Sequence, residues 1–395
     1  MIDLENTKIA FQNKNNRDLY RAHFLFNTFS RPLVVKTGKL LTDISLKTGV
    51  PIKWIVKPTV YKQFCGGETI EECEPIVRNI GKYSVTSILD YSAEGKENPE
   101  DMDAALNETI RTIENAARNE YIPFAVFKPT AFAKNSVLEK CSSKEQLTRD
   151  EQKELDHFRE RIERICKTGY QNDVAVLIDA EEVCHQYIID QVARDMMKSY
   201  NQNKACIFNT LQMYRWDRID FLKNELKIAE KGGYHFGAKF VRGAYMERER
   251  ARARKLGYLS PIQPDKTSTD QDYDEALKIA IENIDHSAIF NATHNENSCL
   301  YLTQLMENHQ VNGNDERMYF CQLYGMSDHI SYNLADAGYN VAKYLPYGPV
   351  HNVMPYLIRR AEENTAVAGQ TSRELELIKK ELRRRKSIKS TKDGN

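Results

Sequence analysis

The sequence predicts an α/β protein built as a closed (β/α)8 barrel. Beyond residue 80, short runs of β-branched and aromatic residues alternate with longer helical stretches, which is typical of a parallel sheet. Eight such units within about 280 residues suit a closed barrel. A doubly wound open sheet is the alternative, but the G-x-G-x-x-G motif that usually follows its first strand does not occur.

The eight predicted strands are five or six residues long, and charge-rich amphipathic segments such as DEALKIAIENI (274–284) predict helices between most of them. The strands are SVTSIL (84–89), FAVFK (124–128), VAVLI (174–178), CIFNTL (206–211), FGAKFV (236–241), AIFNAT (288–293), YFCQLY (319–324) and VAKYL (341–345). We predict three segments: a mostly helical N-terminal arm (1–80), the barrel (81–373) and a basic C-terminal tail (374–395).

Composition narrows the function classes. The 56 basic and 56 acidic residues cancel, so net charge gives no reason to expect a nucleic-acid partner. No apolar run approaches the ~20 residues of a membrane-spanning helix. The first residues contain Asp3 and Glu5 and resemble neither a signal peptide nor a transit peptide, so we expect a cytoplasmic protein. The eight scattered cysteines form no C-x-x-C motif, and we expect reduced thiols rather than disulfides or a zinc site.

Polar and titratable residues follow most of the predicted strands. Because barrel active sites lie at the carboxyl ends of the strands, these residues predict a shared pocket. The candidates are Lys128, Asp179, Ala180, Glu181, Gln212, Arg242, Gly243, Ala244, Tyr245, Thr293, His294, Asn295, Leu323, Tyr324 and Tyr344. His294 has no H-x-H partner, and we expect no metal ion there. Asp179 has three interpretations: a base, a hydrogen-bond acceptor or a helix N-cap.

Two adjacent arginines, Arg359 and Arg360, open the helix after the last strand. Their planar guanidinium groups suit a carboxylate or a phosphate. Glu363 lies four and three residues after them and can hold either, with Tyr356 on the same face. A surface salt-bridge cluster is the alternative. From the residues alone, we predict a barrel enzyme that acts on a small anionic substrate, with a phosphorylated cofactor as an option.

Eight motifs, taken together, resemble the proline dehydrogenase family in order and spacing over roughly residues 80–370. They are FKPT (127–130), LIDAEE (177–182), LQMY (211–214), KFVRGAY (239–245), ATHN (292–295), QLYGM (322–326), KYLPYGP (343–349) and YLIRRAEEN (356–364). The resemblance implies a distorted, TIM-like (β/α)8 barrel. It also implies a monofunctional flavoenzyme that oxidises L-proline to 1-pyrroline-5-carboxylate, with hydride transfer from C5 to N5 of FAD and a quinone as the next electron acceptor.

The resemblance also implies the role of each site residue. Arg359, Arg360 and Lys128 would bind the carboxylate of proline, with Glu363 positioning an arginine. Asp179 would act near the substrate amine, and Lys239 would lie near flavin N5, where many bacterial members carry arginine. The residues expected to contact the proline ring are Tyr245, Leu323, Tyr344 and Tyr356. Those expected to bind FAD are Ala180, Gln212, Lys239, Arg242, Gly243, Ala244, Thr293 and His294.

Three alternative functions stay open: a hydroxyproline dehydrogenase, a proline-responsive barrel without catalysis, and a barrel lyase without flavin. An intact Tyr344 favours proline over hydroxyproline, because hydroxyproline-specific relatives tend to carry a smaller residue there. The basic tail has a narrow apolar stripe of Leu375, Ile378 and Leu382. Together with the basic residues, this stripe predicts peripheral contact with the inner face of a membrane. A solvated tail is the alternative.

Overall fold

The computed structural model describes residues 2–29, 31, 53–92, 95–366 and 370–393; side chains are described throughout except at 363–366, 370–371 and 389–393. Eight parallel strands form a closed barrel in the chain order β1 to β8. The strands are β1 (Val85–Tyr91), β2 (Phe124–Phe127), β3 (Ala175–Ile178), β4 (Ile207–Gln212), β5 (Phe236–Val241), β6 (Ser287–Ala292), β7 (Met318–Leu323) and β8 (Val341–Tyr347). Each overlaps one predicted run, and the predicted fold class is confirmed.

Helices connect these strands and form the described part of the N-terminal segment. Before β1 lie α1 (Thr7–Ala10), α2 (Asn16–Phe29), α3 (Lys53–Val56), a π-helical turn (Lys57–Tyr61), α4 (Lys62–Phe64) and α5 (Ile70–Gly81). Between β1 and β5 lie α6 (Pro99–Ala116), α7 (Asn135–Ser142), α8 (Arg149–Gln171), α9 (Val183–Tyr200) and α10 (Arg218–Gly232). After β5 lie α11 (Met246–Leu256), α12 (Lys266–Glu282), α13 (Glu296–Asn308), α14 (Asp328–Asp336), α15 (Val350–Ala366) and α16 (Gln370–Asp393). No helix in the described ranges combines the length and hydropathy needed to cross a bilayer.

The chain forms two compact units. The first unit combines the two ends of the sequence, residues 1–87 and 322–395, and the second contains residues 88–321. The predicted boundaries at residues 80 and 373 stay predictions, since a division into compact units does not test how the functional segments are delimited.

The core of the first unit is apolar and draws on both ends of the chain. Phe11 and Phe26 from the N-terminal helices are buried in one cluster with Leu375 and Ile378 from α16, and Leu382 packs against it. The apolar stripe that the sequence offers to a membrane is therefore used inside the protein. A helix with one apolar face gains stability by burying that face, whether against lipid or against a core.

A buried ion triad crosses the first unit. The carboxylate of Asp328 lies 2.6 Å from Lys14 Nζ and 2.9 Å from Lys343 Nζ. Lys343 also donates to the Met326 carbonyl at 2.6 Å. Burial alone would raise the pKa of Asp328, but the two ammonium groups outweigh it and lower the pKa to about 2. The triad ties the N-terminal segment to α14 and β8.

In the second unit, aromatic rings fill the interior near the amino ends of several strands. Phe124 packs edge-to-face on Phe290 at 5.0 Å and on Tyr319 at 4.7 Å between ring centroids. Phe208 adds a third contact to Phe124 at 6.0 Å. This end is thus a packed core, as is usual in such barrels, and it leaves polar groups to the opposite strand ends.

Candidate active site

Four charged side chains form a network on the inner strands of the second unit. Lys239 Nζ on β5 donates to Asp179 Oδ1 after β3 at 2.5 Å. Lys128 Nζ after β2 lies 3.6 Å from the other Asp179 oxygen and donates to both oxygens of Asp90 on β1 at 2.9 Å. All four side chains are at most 14% exposed. Two cations and two anions balance, which is how buried charges are tolerated.

This network brings together two predicted site residues, Asp179 and Lys239, and adds one that the sequence analysis missed. Asp90 directly follows the predicted strand 84–89, so the strand-end rule that selected Lys128 also applies to it. The structure gives Lys128 two carboxylates of its own unit as partners. In the predicted contact with proline, the Lys128 ammonium group would be shared between the carboxylate of proline and these two carboxylates of the protein.

Glu181, a strand-end candidate to which the sequence analysis gave no role of its own, is buried just after β3. It accepts from the Thr130 hydroxyl at 2.8 Å and from the Tyr245 hydroxyl at 3.4 Å. Its own backbone N–H donates to Gln186. Glu181 therefore helps to fix the position of Tyr245, a predicted ring contact, through the tyrosine hydroxyl. The signal was the DAEE motif, in which the first acid alone was assigned.

Gln212, at the end of β4, and Gly243, just after β5, both lie next to Tyr214. Gln212 is buried, and its Oε1 atom has no hydrogen-bond partner among the described residues, while its Nε2 lies 3.5 Å from the Tyr214 hydroxyl. Gly243 has φ +129°, and a Cβ there would lie 2.6 Å from the Tyr214 ring. Only glycine fits this turn, because the Tyr214 ring occupies the place of a side chain and φ is positive. The buried Gln212 acceptor in turn lacks the donor that such groups normally have.

Arg242 is held by hydrogen bonds to α12, to the segment after β6 and to α13. Its guanidinium donates to Asp270 at 2.7 Å, to the Thr293 hydroxyl at 2.7 Å and to the Ser298 hydroxyl at 3.0 Å. It also lies over the Tyr273 ring, 4.3 Å from the centroid. Thr293 and the half-buried His294 precede the N-terminus of α13, whose N–H groups favour anions. This end of the unit suits a phosphate.

Two smaller predicted cofactor contacts complete the second unit. Ala180 is half-buried beside Asp179, and Ala244 is exposed beside Gly243. Neither side chain offers a polar group, so any contact they make is through the backbone or by leaving room. The exposure of Ala244 agrees with the interpretation that a ligand passes close to the backbone there.

The first unit contains the predicted arginine pair. On α15, Arg360 and Tyr356 are buried, with the guanidinium carbon 5.1 Å from the Tyr356 ring centroid, and Arg359 is half-buried. Tyr344 is buried on β8, and Leu323 at the end of β7 is half-buried. The burial of Arg360 disagrees with a simple surface salt-bridge cluster. Glu363 lies in α15, but its side chain is outside the described residues.

The residues of the second unit fit a flavin nucleotide. The amide oxygen of Gln212, unsatisfied among the described residues, suits an N–H of the isoalloxazine ring, and Arg242 with the N-terminus of α13 suits a pyrophosphate. The class that the fold defines is therefore a (β/α)8 barrel, and its strand ends carry polar groups that suit a phosphorylated ligand.

The comparisons with known proteins agree. The proline dehydrogenase family model matches residues 73–373. Proline dehydrogenase 1, mitochondrial, of Dictyostelium discoideum is 30% identical over 430 residues, covering 97% of this chain and 75% of that protein. Hydroxyproline dehydrogenase of Xenopus laevis is 31% identical over 418 residues, covering 95% and 89%. The chain belongs to the proline dehydrogenase family, which consists of oxidoreductases.

Among solved structures, proline utilization A from Bdellovibrio bacteriovorus, inactivated by N-propargylglycine, has a similar fold. Its TM-score is 0.70 at 21% identity, over 90% of this chain. This chain spans 38% of the length of that protein. At this identity the likeness supports the barrel fold and carries no assignment of individual residues.

Proposed function

We propose that this chain is an FAD-dependent proline dehydrogenase that oxidises L-proline to 1-pyrroline-5-carboxylate and passes the electrons to a quinone. The observation that carries the proposal is the balanced network of Asp90, Lys128, Asp179 and Lys239 on the inner strands. Fixed charges with little water around them stabilise charge that develops during a reaction without having to reorganise. Hydride loss from an amine is a reaction of that kind.

The substrate is bound through its carboxylate and its apolar ring. Arg359 and Arg360 bind the carboxylate of proline, since a guanidinium offers paired donors to its two oxygens. The stacking of Arg360 on Tyr356 restricts its rotamers, so less entropy is lost on binding. Glu363 is assigned to position one arginine. The side chains assigned to contact the ring are Tyr245, Leu323, Tyr344 and Tyr356.

Lys239 and Asp179 set the charge next to the reacting centre. FAD, when bound, supplies the acceptor for the hydride that leaves C5 of proline. The Lys239 ammonium keeps a positive charge close to that acceptor, and Asp179 fixes its position through the 2.5 Å hydrogen bond. Lys128 is assigned first to this network, because Asp90 holds it with both oxygens.

The cofactor is held by residues at four strand ends. Gln212 accepts a hydrogen bond from the ring system, and Arg242 with the α13 N-terminus binds the phosphates. Arg242 is preorganised for this by Asp270 and Ser298. The full set assigned to FAD is Ala180, Gln212, Lys239, Arg242, Gly243, Ala244, Thr293 and His294.

Hydroxyproline is the second candidate substrate, because a relative named hydroxyproline dehydrogenase matches almost the whole chain. Tyr344 is buried and bulky, and contact with its ring would exclude a 4-hydroxyl group. We therefore assign proline as the preferred substrate. Tyr344→Ser should raise the hydroxyproline-to-proline ratio of kcat/KM, and an unchanged ratio would remove Tyr344 from the ring contacts.

The test is the anaerobic reaction of the purified holoenzyme with L-proline. The flavin absorbance should bleach, and 1-pyrroline-5-carboxylate should form in equal amount. Arg360→Met should lower kcat/KM. The fall should correspond to about 2–4 kcal/mol of lost transition-state stabilisation, because a charged hydrogen bond is lost in a buried site. Flavin content should change little.

Arg159→Met, on the exposed face of α8, is the matched control and should leave kcat/KM unchanged. A protein that contains flavin but does not react with proline would reject the substrate assignment. A protein that neither binds flavin nor responds to proline would favour the lyase. A protein that binds proline but contains no flavin would favour the proline-responsive barrel without catalysis.

A further inference from the structure

Three metal-ligating side chains meet in the second unit, away from the charge network. Glu139 lies on α7, and Cys184 and His185 lie in the first turn of α9. A carboxylate oxygen, the thiol sulfur and a ring nitrogen of these residues all lie within 4.8 Å of one another. Carboxylate, thiolate and imidazole are the three common protein ligands of zinc.

The imidazole supplies a second, independent observation. His185 is only 7% exposed, and its Nδ1 atom is buried without a hydrogen-bond partner among the described residues. Buried polar atoms of native proteins are nearly always satisfied, and an unsatisfied one needs an explanation, of which an ion is one. A metal that accepts the lone pair of a ring nitrogen would provide it.

The surroundings of the cluster decide how strongly a cation is attracted. Glu249 is buried and accepts from the Val183 N–H at 2.7 Å, and Glu182 pairs with Arg248 at 3.3 Å. The positive charge of Arg252, which donates to Glu139, opposes the attraction of these acids for a cation. The side chains of Arg252 and Glu139 are 31% and 41% exposed, so an ion can enter from solvent on that side. A bound cation therefore has to compete with Arg252 for the Glu139 carboxylate.

We propose that Glu139, Cys184 and His185 form a binding site for a zinc-class divalent cation, with water as the fourth ligand. Zinc bonds of about 2.0–2.3 Å place ligand atoms closer together than 4.8 Å, so the side chains close around the ion. The thiolate and the imidazole select Zn²⁺ or Cd²⁺ over Mg²⁺ and Ca²⁺, which prefer oxygen ligands. The bound thiol loses its proton to solvent as the Zn–S bond forms.

The ion would join α7 to the start of α9, which follows Asp179 by only a few residues. The segment between them contains Glu181, whose carboxylate holds Tyr245 and Thr130. The site is thus placed to stiffen the connection between β3 and α9. The proposal concerns binding alone and does not depend on the reaction catalysed.

The experiment uses the full-length holoenzyme after treatment with a chelator. Zn²⁺ binding is measured by titration calorimetry, and Cd²⁺ binding by the ultraviolet charge-transfer band of a cadmium thiolate in a difference spectrum. We expect one ion per chain and a single thiolate in the band. Cys184→Ser should abolish the band and weaken Zn²⁺ binding at least tenfold, with unchanged thermal unfolding.

Two further variants separate a site from unspecific binding. Cys141→Ser, on the same helix as Glu139 and half-buried, should leave the band and the affinity unchanged. Arg252→Gln should bind Zn²⁺ several-fold more tightly, because the guanidinium that competes for Glu139 is gone. Absence of binding in the parent protein, a band that survives Cys184→Ser, or weaker binding in Arg252→Gln would each overturn the proposal.

Discussion

The two units contain the same arrangement of charges in different settings. In the second unit, Asp179 lies between Lys239 and Lys128, and Lys128 is also bound by Asp90. In the first unit, Asp328 lies between Lys14 and Lys343, and the Lys343 side chain is fully buried. The triad of the second unit lies on strands that carry the predicted site residues. The triad of the first unit instead joins segments more than 300 residues apart. One Lys–Asp–Lys pattern thus occurs twice: at the proposed active site, and where the two ends of the chain are joined.

The largest loss of stability is expected from a change in the triad of the first unit. Asp328→Asn leaves two ammonium groups buried without their carboxylate, which should lower the free energy of unfolding by about 3–5 kcal/mol. Urea unfolding followed by far-ultraviolet circular dichroism measures this. A loss below 1 kcal/mol would show that the triad does not fasten the first unit.

The apolar part of the same unit gives the next largest effect. Ile378→Ala removes buried methyl and methylene groups from the shared core and should cost about 2–4 kcal/mol of unfolding free energy. Its neighbour Lys379 is exposed, and Lys379→Ala should stay within about 0.5 kcal/mol of the parent protein. Equal stabilities of the two variants would mean that α16 is not part of this core.

The triad of the second unit should behave in the opposite way. Asp179→Asn is expected to reduce kcat/KM for proline by about 2–3 kcal/mol in transition-state free energy, because Lys239 loses the carboxylate that positions it. The loss of unfolding free energy should be smaller than in Asp328→Asn, since Asp90 still balances one lysine. If Asp179→Asn instead unfolds the protein and keeps its activity per folded molecule, the contrast between the triads is wrong.

The pH dependence of stability distinguishes two acids in the first unit. The pKa of Asp328 falls from 3.8 to about 2 in the folded state, so its contribution is present above pH 3.8 and is lost as the pH falls toward 2. Burial raises the pKa of Glu374, which accepts from the Ser327 N–H, so Glu374 favours folding at acid pH and opposes it as the pH rises through the raised value.

Glu374→Gln keeps the acceptor and removes the charge. The variant should therefore be more stable than the parent near neutral pH and should show the same loss of stability below pH 4. Urea midpoints measured between pH 2 and 8 test this. A variant that is destabilised equally at every pH would show that the Glu374 carboxylate is not disfavoured by burial.

The smallest effect on stability concerns the basic tail. Truncation after Arg373 would remove Leu375 and Ile378 from the core, so it cannot test membrane contact by itself. Lys379→Gln, Arg383→Gln and Lys386→Gln together remove only exposed charges and should change the unfolding free energy by less than about 0.5 kcal/mol. Binding to anionic vesicles should weaken, as it should for the parent protein at high salt. Unchanged binding would exclude the tail as a membrane contact.

Sequence patterns predicted the second unit better than the first. Strands of a parallel barrel are buried on both faces, so they stand out as short apolar runs, and the strand-end rule then selected Lys128, Asp179 and Gln212. The same rule, applied to the first run, would have found Asp90. Glu181 was among the strand-end candidates but received no role of its own, because neighbouring acids at a strand end cannot be told apart without their contacts.

The first unit depends on contacts that leave no local pattern. Nothing near Lys14 in the sequence indicates a partner at Asp328, because the two are brought together only by the fold. The stripe on α16 was correctly recognised as apolar, but a stripe looks the same whether a core or a lipid surface covers it. The sequence therefore predicted the face and not what lies against it.

The shared core of the first unit has a consequence for synthesis on the ribosome. Phe11 and Phe26 are made early, but Leu375 and Ile378, with which they are buried, are made more than 300 residues later. The second unit, residues 88–321, is continuous and can emerge complete before that. During translation the apolar faces of the N-terminal helices therefore stay exposed until α16 has been synthesised. In that interval chaperones bind nascent chains and aggregation begins.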